Sequence, residues 1–492
     1  MPTLVRFGLL FAKIKMTVST TSPLPSELYF SKFAHRFEKD GVNAYFHALR
    51  LKPIYLSTEI AELVERLRIC SDTKEFVSSI STSPNKDQVI AAINALIDNK
   101  VITKNNSTDS NVISRFQSKI PPPYVQIAYF VLTENCNFGC SYCFVKRDEK
   151  DHAGAKIMSL ETAQEGLDFF CTQIAKDETR FSEEKNIIFY GGEPLLNKRT
   201  LKFILEKVAE YKITGKLPEL TRLSIITNGS LLDQENIDLL RQYGVSIGVS
   251  LDGDECATNA CRSYVNGKPV YKDVLRGIDR CKQSDVPFSL SVTLTEQSVK
   301  EFDKTMLELQ AIGCKALGFN ILLTDENFKV AEGYNEAAAD CIIKGFETFR
   351  KSGVYEDRMM RKVKAFAESR VYYFDCGASG GSQIVIAPDG EVGICHGLLG
   401  SRECFPTTVT DQTFDPPSEE IFREWGRRTP INMPECQDCM ALGICGGGCP
   451  LNAMKNTGSI WGMDERFCIH SKKTMNWLIW DLFEKVNSIA AQ

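Results

Sequence analysis

The sequence of 492 residues predicts an α/β protein with a partial (β/α)6 barrel, similar to a TIM barrel, at its centre. Apolar strands alternate with amphipathic helices from Val125 onward, a strand-rich segment precedes them, and a cysteine-rich segment follows. The length exceeds that of one hydrophobic core, so several domains are expected. The predicted parts are a flexible leader (1–24), an amino-terminal domain (25–118), the barrel (119–365), a cysteine-rich domain (366–470) and a carboxyl-terminal helix (471–492).

Composition and charge disfavour several classes of function. The hydrophobic content of 43%, the charged content of 25% and the net charge of -5 are those of a globular protein without an excess of positive charge, so we expect no nucleic-acid partner. No apolar run reaches the roughly 18 to 20 residues that span a bilayer. The opening MPTLVRFGLLFAKIKM is interrupted or bounded by basic residues and is not followed by a cleavage site. We therefore expect a cytoplasmic protein that starts at Met1 or Met16.

The amino-terminal domain (25–118) shows three strands followed by helices. FSKFAHRFEKDG and VNAYFHALR are predicted to meet at a Lys39-Asp40-Gly41 turn, and LKPIYL supplies the third strand. STEIAELVERL then begins as a helix capped by Ser57 or Thr58, and KDQVIAAINALIDNK has helical periodicity. This order resembles a winged-helix-like domain, similar to the pyrroloquinoline-quinone chaperone, with which peptide-modifying enzymes bind the leader of their substrate. A DNA-binding winged helix is the alternative, which the lack of a basic stripe disfavours.

Six strand-and-helix units form the predicted barrel. Its strands are VQIAYFVLT, NIIFY, RLSIIT, VSIGVS, FSLSVTL and ALGFNILL. The sequence PPPY, from Pro121 to Tyr124, marks its start, since consecutive prolines cannot continue a helix or a central strand. Reactive groups of such barrels lie at the carboxyl ends of the strands, where the following motifs also lie.

The first of these motifs is CNFGCSYCF, directly after the first strand. Cys136, Cys140 and Cys143 offer three thiolates at the spacing C-x3-C-x2-C. A structural zinc site needs a fourth ligand, and His152 is the only nearby candidate. A cubane iron–sulfur cluster on three thiolates would instead leave one iron open. The spacing alone leaves both interpretations open.

Further motifs end the next three strands: GGEP (Gly191 to Pro194), TNG, and SLDG (Ser250 to Gly253). Two glycines let a backbone approach a ligand closely, and Glu193 can accept hydrogen bonds from an ammonium group. Together with the cysteine triplet and Tyr142, these motifs resemble the radical S-adenosylmethionine (radical SAM) superfamily over about residues 125 to 355.

The resemblance implies a cofactor and its contacts. S-adenosylmethionine would bind the open iron of a [4Fe-4S] cluster through its amino and carboxylate groups. One electron from a donor such as flavodoxin or ferredoxin would then cleave it to a 5'-deoxyadenosyl radical. The implied contacts are Gly191, Gly192, Glu193 and Pro194 for the methionine end, the Tyr142 backbone for adenine, Ser250 and Asp252 for the ribose, and Arg262 for the methionine carboxylate.

Seven further cysteines form a second pattern near the carboxyl terminus. They are Cys376, Cys395, Cys436, Cys439, Cys445, Cys449 and Cys468, with Gly390 between the first two. Zinc ribbons are the alternative, but the series resembles the SPASM extension of radical SAM enzymes that act on peptides and proteins. The resemblance implies two auxiliary [4Fe-4S] clusters, hence three clusters in all. Cys436, Cys439, Cys445 and Cys468 would hold one, and Cys376, Cys395 and Cys449 the other.

The second of these sets is short of one thiolate. Fully ligated family members carry another cysteine a few residues after the first, but here the segment GASGGSQIV has none. Either Cys404 completes the set or one iron stays open, where it could bind a substrate thiolate and so suit thioether formation.

Two enzymatic functions and one non-enzymatic function follow from the resemblance. Sulfatase-maturing members typically have an aspartate after the second SPASM cysteine, whereas this chain has His396, a candidate proton acceptor. That departure and the amino-terminal domain favour the maturation of a ribosomally made precursor peptide through a thioether or carbon–carbon crosslink. The leader would add as a strand near Leu51 to Leu56. An electron carrier is disfavoured, because it needs neither a cosubstrate pocket nor an open iron.

Overall fold

The computed structural model describes residues 24–70, 72–105, 108–147 and 156–490. The predicted leader, apart from residue 24, lies outside these ranges, as do the two possible start residues, Met1 and Met16, and the zinc-ligand candidate His152. No helix in the described ranges is both long enough and apolar enough to cross a membrane.

The amino-terminal part contains two small antiparallel sheets and helices. Its strands are Tyr29–Phe30 (β1), Ala34–Lys39 (β2), Val42–His47 (β3), Ile54–Ser57 (β4) and Ile102–Thr103 (β5). Its helices are Thr58–Glu65 (α1), Thr73–Ser79 (α2), Lys86–Asp98 (α3) and Thr108–Gln117 (α4). Strand β3 lies between β2 and β4, and β1 pairs with β5. The sheet therefore leaves one edge of β4 without a partner strand among the described residues.

Local chemistry explains the ends of these elements. Asp40 and Gly41 both have positive φ, at 49° and 75°, which suits the tight turn between β2 and β3. The Ser57 hydroxyl accepts from the Ile60 amide and caps α1. The third strand was predicted from Leu51, but it begins at Ile54, because Leu51 has a left-handed φ of 56° that interrupts an extended chain.

The three-stranded sheet of β2, β3 and β4 is packed on both faces. Tyr45 lies in the core formed with helices α1 to α3. Ala44 and Phe46 face the opposite way, into a core shared with Leu442 and Ile479 near the carboxyl terminus. The amino-terminal part is thus fixed to the cysteine-rich region by buried apolar surface.

A ten-stranded sheet forms the barrel and its extensions. The strands that follow one another along the chain are Ile127–Thr133 (β6), Asn186–Gly191 (β7), Arg222–Thr227 (β8), Ser246–Ser250 (β9), Phe288–Leu294 (β10), Ala316–Ile321 (β11) and Tyr355–Glu356 (β12). The helices that accompany them are Phe144–Arg147 (α5), Leu160–Ala175 (α6), Lys198–Ile213 (α7), Gln234–Gln242 (α8), Glu255–Cys261 (α9), Tyr271–Gln283 (α10), Glu296–Lys300 (α11), Phe302–Ile312 (α12), Tyr334–Lys351 (α13) and Asp357–Ala367 (α14). All neighbours from β6 to β12 are parallel, as the six predicted units require.

The sheet extends beyond the six predicted strands at both ends. Short β12 adds to β11, and Gln383–Ile386 (β13) pairs in parallel with β6. Antiparallel strands Glu391–Gly393 (β14) and Thr407–Thr408 (β15) then complete the sheet. Strands β13 and β14 belong to the cysteine-rich region, and Cys395 follows shortly after β14. This region therefore continues the barrel sheet.

The remaining helices belong to the carboxyl-terminal part. They are Glu420–Arg427 (α15), Pro450–Thr457 (α16) and Glu465–Ala490 (α17). The carboxyl-terminal helix was predicted from residue 471, but it begins at Glu465, so Cys468 lies within its first turns.

Candidate active site

The cysteine triplet lies in a loop after β6, which we call the cysteine loop (residues 134–143). Its three thiols are partly buried. Burial raises the pKa of Cys140 to about 11, Arg262 opposes this shift, and the neighbouring thiols of Cys143 and Cys136 add to it. The structure therefore brings the three predicted thiols together in a place where an unliganded thiolate is costly.

The backbone of neighbouring segments holds the cysteine loop. The amide of Gly139 donates to the Ser263 carbonyl at 2.8 Å, and the amide of Ser141 donates to the Cys261 carbonyl at 2.9 Å. On the other side, Asn228 donates to the Asn137 side chain at 2.8 Å. The loop is thus fixed by the ends of β8 and α9, so its conformation does not depend on its own short sequence.

The GGEP motif packs its backbone against the start of the cysteine loop. The amide of Gly192 donates to the Thr133 carbonyl at 2.8 Å. A Cβ atom at Gly191 would lie 2.3 Å from that carbonyl oxygen, and one at Gly192 would lie 2.2 Å from the Asn135 oxygen. Both glycines thus allow close packing against the protein's own backbone, and their predicted approach to a ligand stays a prediction. Pro194 follows as the first residue of a 3₁₀ turn.

The carboxylate of Glu193 is fully buried and connects two strand ends. It accepts from the Leu195 amide at 3.1 Å, the Thr227 hydroxyl at 2.8 Å and the Asn228 amide at 2.8 Å. Burial raises its pKa to about 7, although these hydrogen bonds oppose the shift. A hydrogen bond from the ammonium group of a ligand to Glu193 stays a prediction. That bond would use the carboxylate lone pairs that these three donors do not occupy.

Asp252 joins the cysteine loop to the end of β9. Its fully buried carboxylate binds Arg262 in a bidentate pair, at 2.8 Å from Nε and 3.0 Å from Nη2. The Tyr142 hydroxyl donates to the same carboxylate at 2.6 Å. Arg262 was predicted to bind the methionine carboxylate, but its partner in the structure is Asp252. Contact of Asp252 with a ribose likewise stays a prediction.

The concave face of the barrel is polar and half-buried. On β6, Ala128 and Phe130 are fully buried beneath the helices, so Tyr129 between them faces the inside of the barrel. Alternation places further side chains on this inner face of later strands: Ser224, Ser250, Ser289, Ser291, Thr293 and Asn320. Predicted Ser250 thus faces the same space as hydroxyl and amide groups of the adjacent strands.

His396 lies on this inner side, against aromatic rings of the first two strands. Its ring stacks on Tyr129 with centroids 4.6 Å apart, and the Tyr190 ring lies at 4.9 Å. Burial lowers the His396 pKa from its ordinary value of 6.5 to about 4. The imidazole is neutral at pH 7, and a role as proton acceptor stays a prediction.

The cysteine-rich region contains a first auxiliary group of thiols, Cys376, Cys395 and Cys449. Burial raises the pKa of Cys395 well above its usual value, and the charges of Cys449 and Cys376 raise it further. Cys404 makes a smaller contribution to the same shift. The Cys404 thiol is buried, which raises its own pKa to about 11.

A second auxiliary group comprises Cys436, Cys439, Cys445 and Cys468. Burial raises the pKa of Cys436 to about 12, and the charges of Cys445, Cys468 and Cys439 raise it further. Cys468 has a pKa of about 12 for corresponding reasons. Electrostatic interactions thus link the four thiols of this group, as they link the three of the first auxiliary group, and the assignment of each group to a cluster stays a prediction.

Several charged residues around these groups carry no motif and were missed from the sequence. Fully buried Arg428 donates to the Gly447 carbonyl at 2.7 Å. Asp464 accepts from the Cys449 amide at 2.9 Å and from Arg466 Nη2 at 2.8 Å. Buried Lys362 donates to the Cys445 carbonyl at 3.3 Å. Their long sequence separations explain why spacing alone could not identify them.

In the described ranges, no group of three or more His, Cys, Asp or Glu side chains is arranged to hold a single metal ion. A [4Fe-4S] cubane makes a different demand, because each thiolate binds its own iron at a separate corner. Thiols that are buried near one another, with raised pKa values, suit such a cluster, whose positive charge stabilises the thiolate forms.

Comparisons with known proteins add to this geometry. The Radical SAM superfamily model matches residues 130–309. The serine-type anaerobic sulfatase-maturating enzyme of Klebsiella aerogenes is 26% identical over 366 residues, covering 70% of this chain and 87% of that enzyme. The radical SAM cyclopropyl synthase TigE of Paramaledivibacter caminithermalis is 25% identical over 478 residues, covering 90% and 93%. The structure of Streptococcus suis SuiB bound to precursor peptide SuiA aligns with a TM-score of 0.51 and 14% identity, covering 90% of this chain and 99% of that chain.

Proposed function

Because the chain belongs to the radical SAM superfamily, we propose that it is a peptide maturase that crosslinks a ribosomally synthesised precursor peptide. The modification would be a thioether or a carbon–carbon bond. The observation that carries the proposal is the combination of the cysteine loop with an amino-terminal part that presents an unpaired edge of β4. The 90% coverage of this chain by both TigE and SuiB supports it, because that coverage extends beyond the barrel.

The residues of the barrel mouth fit the cofactors that the family implies. Cys136, Cys140 and Cys143 would hold the catalytic [4Fe-4S] cluster, and S-adenosylmethionine would bind beside it. When bound and reduced, this pair supplies a 5'-deoxyadenosyl radical that abstracts hydrogen from an unactivated carbon. The protein orients the reactants and limits water: Glu193 and Asp252 fix the loops from within, and the inner face accepts the peptide.

The two auxiliary groups would each hold a [4Fe-4S] cluster. Four thiols of the second auxiliary group provide full ligation, whereas the first auxiliary group provides three. We propose that one iron of the latter stays open, because the segment GASGGSQIV after Cys376 has no cysteine and the Cys404 thiol is packed in the apolar core. An open iron facing the barrel could bind a substrate thiolate.

Leader binding would occur at the free edge of β4. Ile54 and Leu56 alternate toward the helices and are only partly buried, as is Ile90 on α3. An extended peptide that pairs with β4 would cover these apolar side chains and satisfy main-chain groups of the edge. Pro53 has no amide hydrogen, so the leader would pair mainly with the residues on either side of it.

Sulfatase maturation is the second candidate, and it is supported by the identity of 26% to the Klebsiella aerogenes enzyme. That alignment covers 70% of this chain, compared with 90% for the alignment with TigE. The presence of His396 after Cys395, where sulfatase-maturing enzymes typically have an aspartate, favours the first candidate. The two functions give chemically different products, since only formylglycine carries an aldehyde.

The test uses the anaerobically reconstituted chain with S-adenosylmethionine, dithionite and either of two peptides. One peptide is encoded by a short reading frame beside the gene, and the other is a sulfatase-type peptide with a central cysteine or serine. We expect loss of two hydrogens from the first peptide without an aldehyde that a hydrazide probe can capture. Aldehyde formation in the second peptide alone would contradict the proposal and favour sulfatase maturation.

The leader contact has its own test, in which synthetic leaders carry N-methyl groups on alternate amides. Because strand pairing uses alternate amides of the added chain, methylation of one set should abolish modification and methylation of the other should be tolerated. Equal tolerance of both sets would contradict strand addition. This design keeps the amino-terminal part in place, since Ala44 and Phe46 share a buried core with the carboxyl-terminal region.

A further inference from the structure

A cleft separate from the barrel mouth lies where the amino-terminal part meets the segment before Cys376. It consists of two cavities of about 570 Å³ and 330 Å³ that share lining residues. We call it the basic cleft, because its cationic lining residues are Arg50, Lys52, Lys100, Arg115, Lys119 and Arg370. Asp98 and Asp109 are its carboxylates.

The basic cleft has more positive than negative side chains, with six cations and two carboxylates. In the part of the chain that the structure describes, none of the six cations has a carboxylate oxygen within 4.0 Å of its nitrogens. Asp109 already accepts from the Ser31 hydroxyl at 2.9 Å and the Lys32 amide at 2.8 Å. The Arg50 Nε is buried and has no hydrogen-bond partner. A concentration of unpaired cations in a chain of net charge -5 indicates a site for an anion.

The walls of the basic cleft also offer apolar surface. Phe116 on α4 and Tyr373 line it, and the Tyr373 hydroxyl donates to the Phe116 carbonyl at 3.2 Å. Lys100 and Ser369 adopt left-handed φ values of 64° and 51°, which non-glycine residues rarely do. Aromatic walls beside cations suit a peptide with acidic side chains, whose aliphatic stems would lie on the rings.

We propose that the basic cleft binds an acidic stretch of the precursor peptide, an inference that rests on the proposed function. Arg50 and Lys52 precede β4 along the chain, and Pro53 is the single residue between Lys52 and the strand. A leader paired with the free edge of β4 would therefore reach the cleft within a few residues. Arg370 and Tyr373 on the opposite wall precede Cys376, so the same peptide would contact both the amino-terminal part and the segment leading to the first auxiliary group.

The experiment measures the binding of labelled peptides to the anaerobically reconstituted full-length chain by fluorescence anisotropy. The probe is an extended peptide of alternating Glu and Ser, compared with its Gln and Lys counterparts and with oligothymidine. The test variant is Lys119→Glu with Arg370→Glu, from opposite walls. The matched control is Lys315→Glu with Lys351→Glu, two exposed lysines beside β11 and at the end of α13.

We expect the Glu peptide to bind the unmodified chain and the control, and to bind the test variant at least about tenfold more weakly. The Lys peptide should gain affinity for the test variant, a result that misfolding cannot produce. Equal affinity in all variants, equal binding of the Gln peptide or tighter binding of oligothymidine would each overturn the inference. Release of 5'-deoxyadenosine is measured on the same samples and should be the same for all variants. Absence of release from the unmodified chain would count against the proposed function and not against the cleft.

Discussion

The two regions that carry cysteines differ in how the protein supports them. The cysteine loop is short, its thiols are partly buried, and hydrogen bonds from neighbouring loops hold it in place. The thiols of the two auxiliary groups come from segments far apart in sequence, and their exposure ranges from that of buried Cys395 and Cys436 to that of exposed Cys376. Cys436 belongs to the same core as Phe46 and Ile479.

This difference suggests that the two regions use metal in different ways. At the cysteine loop we expect the fold to be independent of the cluster, because Glu193 and Asp252 link the strand ends directly. In the auxiliary groups the thiols are part of the packing between the amino-terminal part, the barrel and helix α17. A cluster there would contribute to folding, as structural metal sites do.

The largest expected effect concerns stability. Replacement of Cys436 and Cys445 by alanine should abolish the yield of folded chain, because binding at a structural thiolate site contributes roughly 10 kcal/mol or more. Replacement of Cys136, Cys140 and Cys143 should leave the melting temperature nearly unchanged. The yield of folded chain checks the first variant, and a thermal melt followed by circular dichroism checks the second. A first variant that folds and melts at the same temperature as the second would remove the distinction between the regions.

The next effect concerns the buried pair behind the cysteine loop. Asp252→Asn should lower the rate of S-adenosylmethionine cleavage by about 10- to 100-fold, since it removes the charge that orients Arg262 and Tyr142. Asp340→Asn is the control, because Asp340 pairs with Lys473 at the surface, at 2.7 Å. The rates are measured at saturating cosubstrate. A normal rate for Asp252→Asn would show that this pair supports only the local fold.

A smaller effect concerns pH and the buried carboxyl of Glu356. It accepts from the Met359 amide at 2.7 Å, and burial raises its pKa from 4.5 to about 7. Folding therefore favours its protonated form, and that stabilisation is complete below pH 4.5 and is lost as the pH rises through about 7. Between pH 6 and pH 8 the unmodified chain should lose about 1 kcal/mol relative to Glu356→Gln. Parallel melts of the two proteins with rising pH would contradict this.

The smallest expected effect is an unchanged iron content in the Cys404→Ala variant. If one iron of the first auxiliary group is open, Cys404→Ala should keep about twelve iron atoms per chain, from three clusters of four. Cys395→Ala should lose about four. Iron analysis after anaerobic reconstitution checks both variants. Loss of about four iron atoms from Cys404→Ala would identify Cys404 as the missing ligand.

Features that depend on local sequence could be predicted. The parallel strands, the turn at Asp40 and Gly41, and the cap at Ser57 follow from periodicity and side-chain chemistry within a few residues. The division of the auxiliary thiols into two cluster sets was implied by the family resemblance, and it stays a prediction.

Features that depend on distant contacts could not be predicted. The pairing of β13 with β6 joins residues that are remote in sequence, and a run as short as QIVI carries little strand signal. The low pKa of His396 comes from burial against Tyr129 and Tyr190, which spacing does not reveal. The hydrogen bonds by which Glu193 and Asp252 connect loops of the protein itself join residues that are distant in sequence, and their contacts with a ligand stay predictions.

The central claim is that the cysteine loop is the catalytic centre of a radical enzyme. The most direct measurement is the release of 5'-deoxyadenosine when the anaerobically reconstituted chain is incubated with S-adenosylmethionine and dithionite. We predict steady release by the unmodified chain and none by the variant in which Cys136, Cys140 and Cys143 are alanine, while that variant keeps the iron of both auxiliary groups. Release by the triple variant, or no release by a chain with all clusters assembled, would contradict the claim.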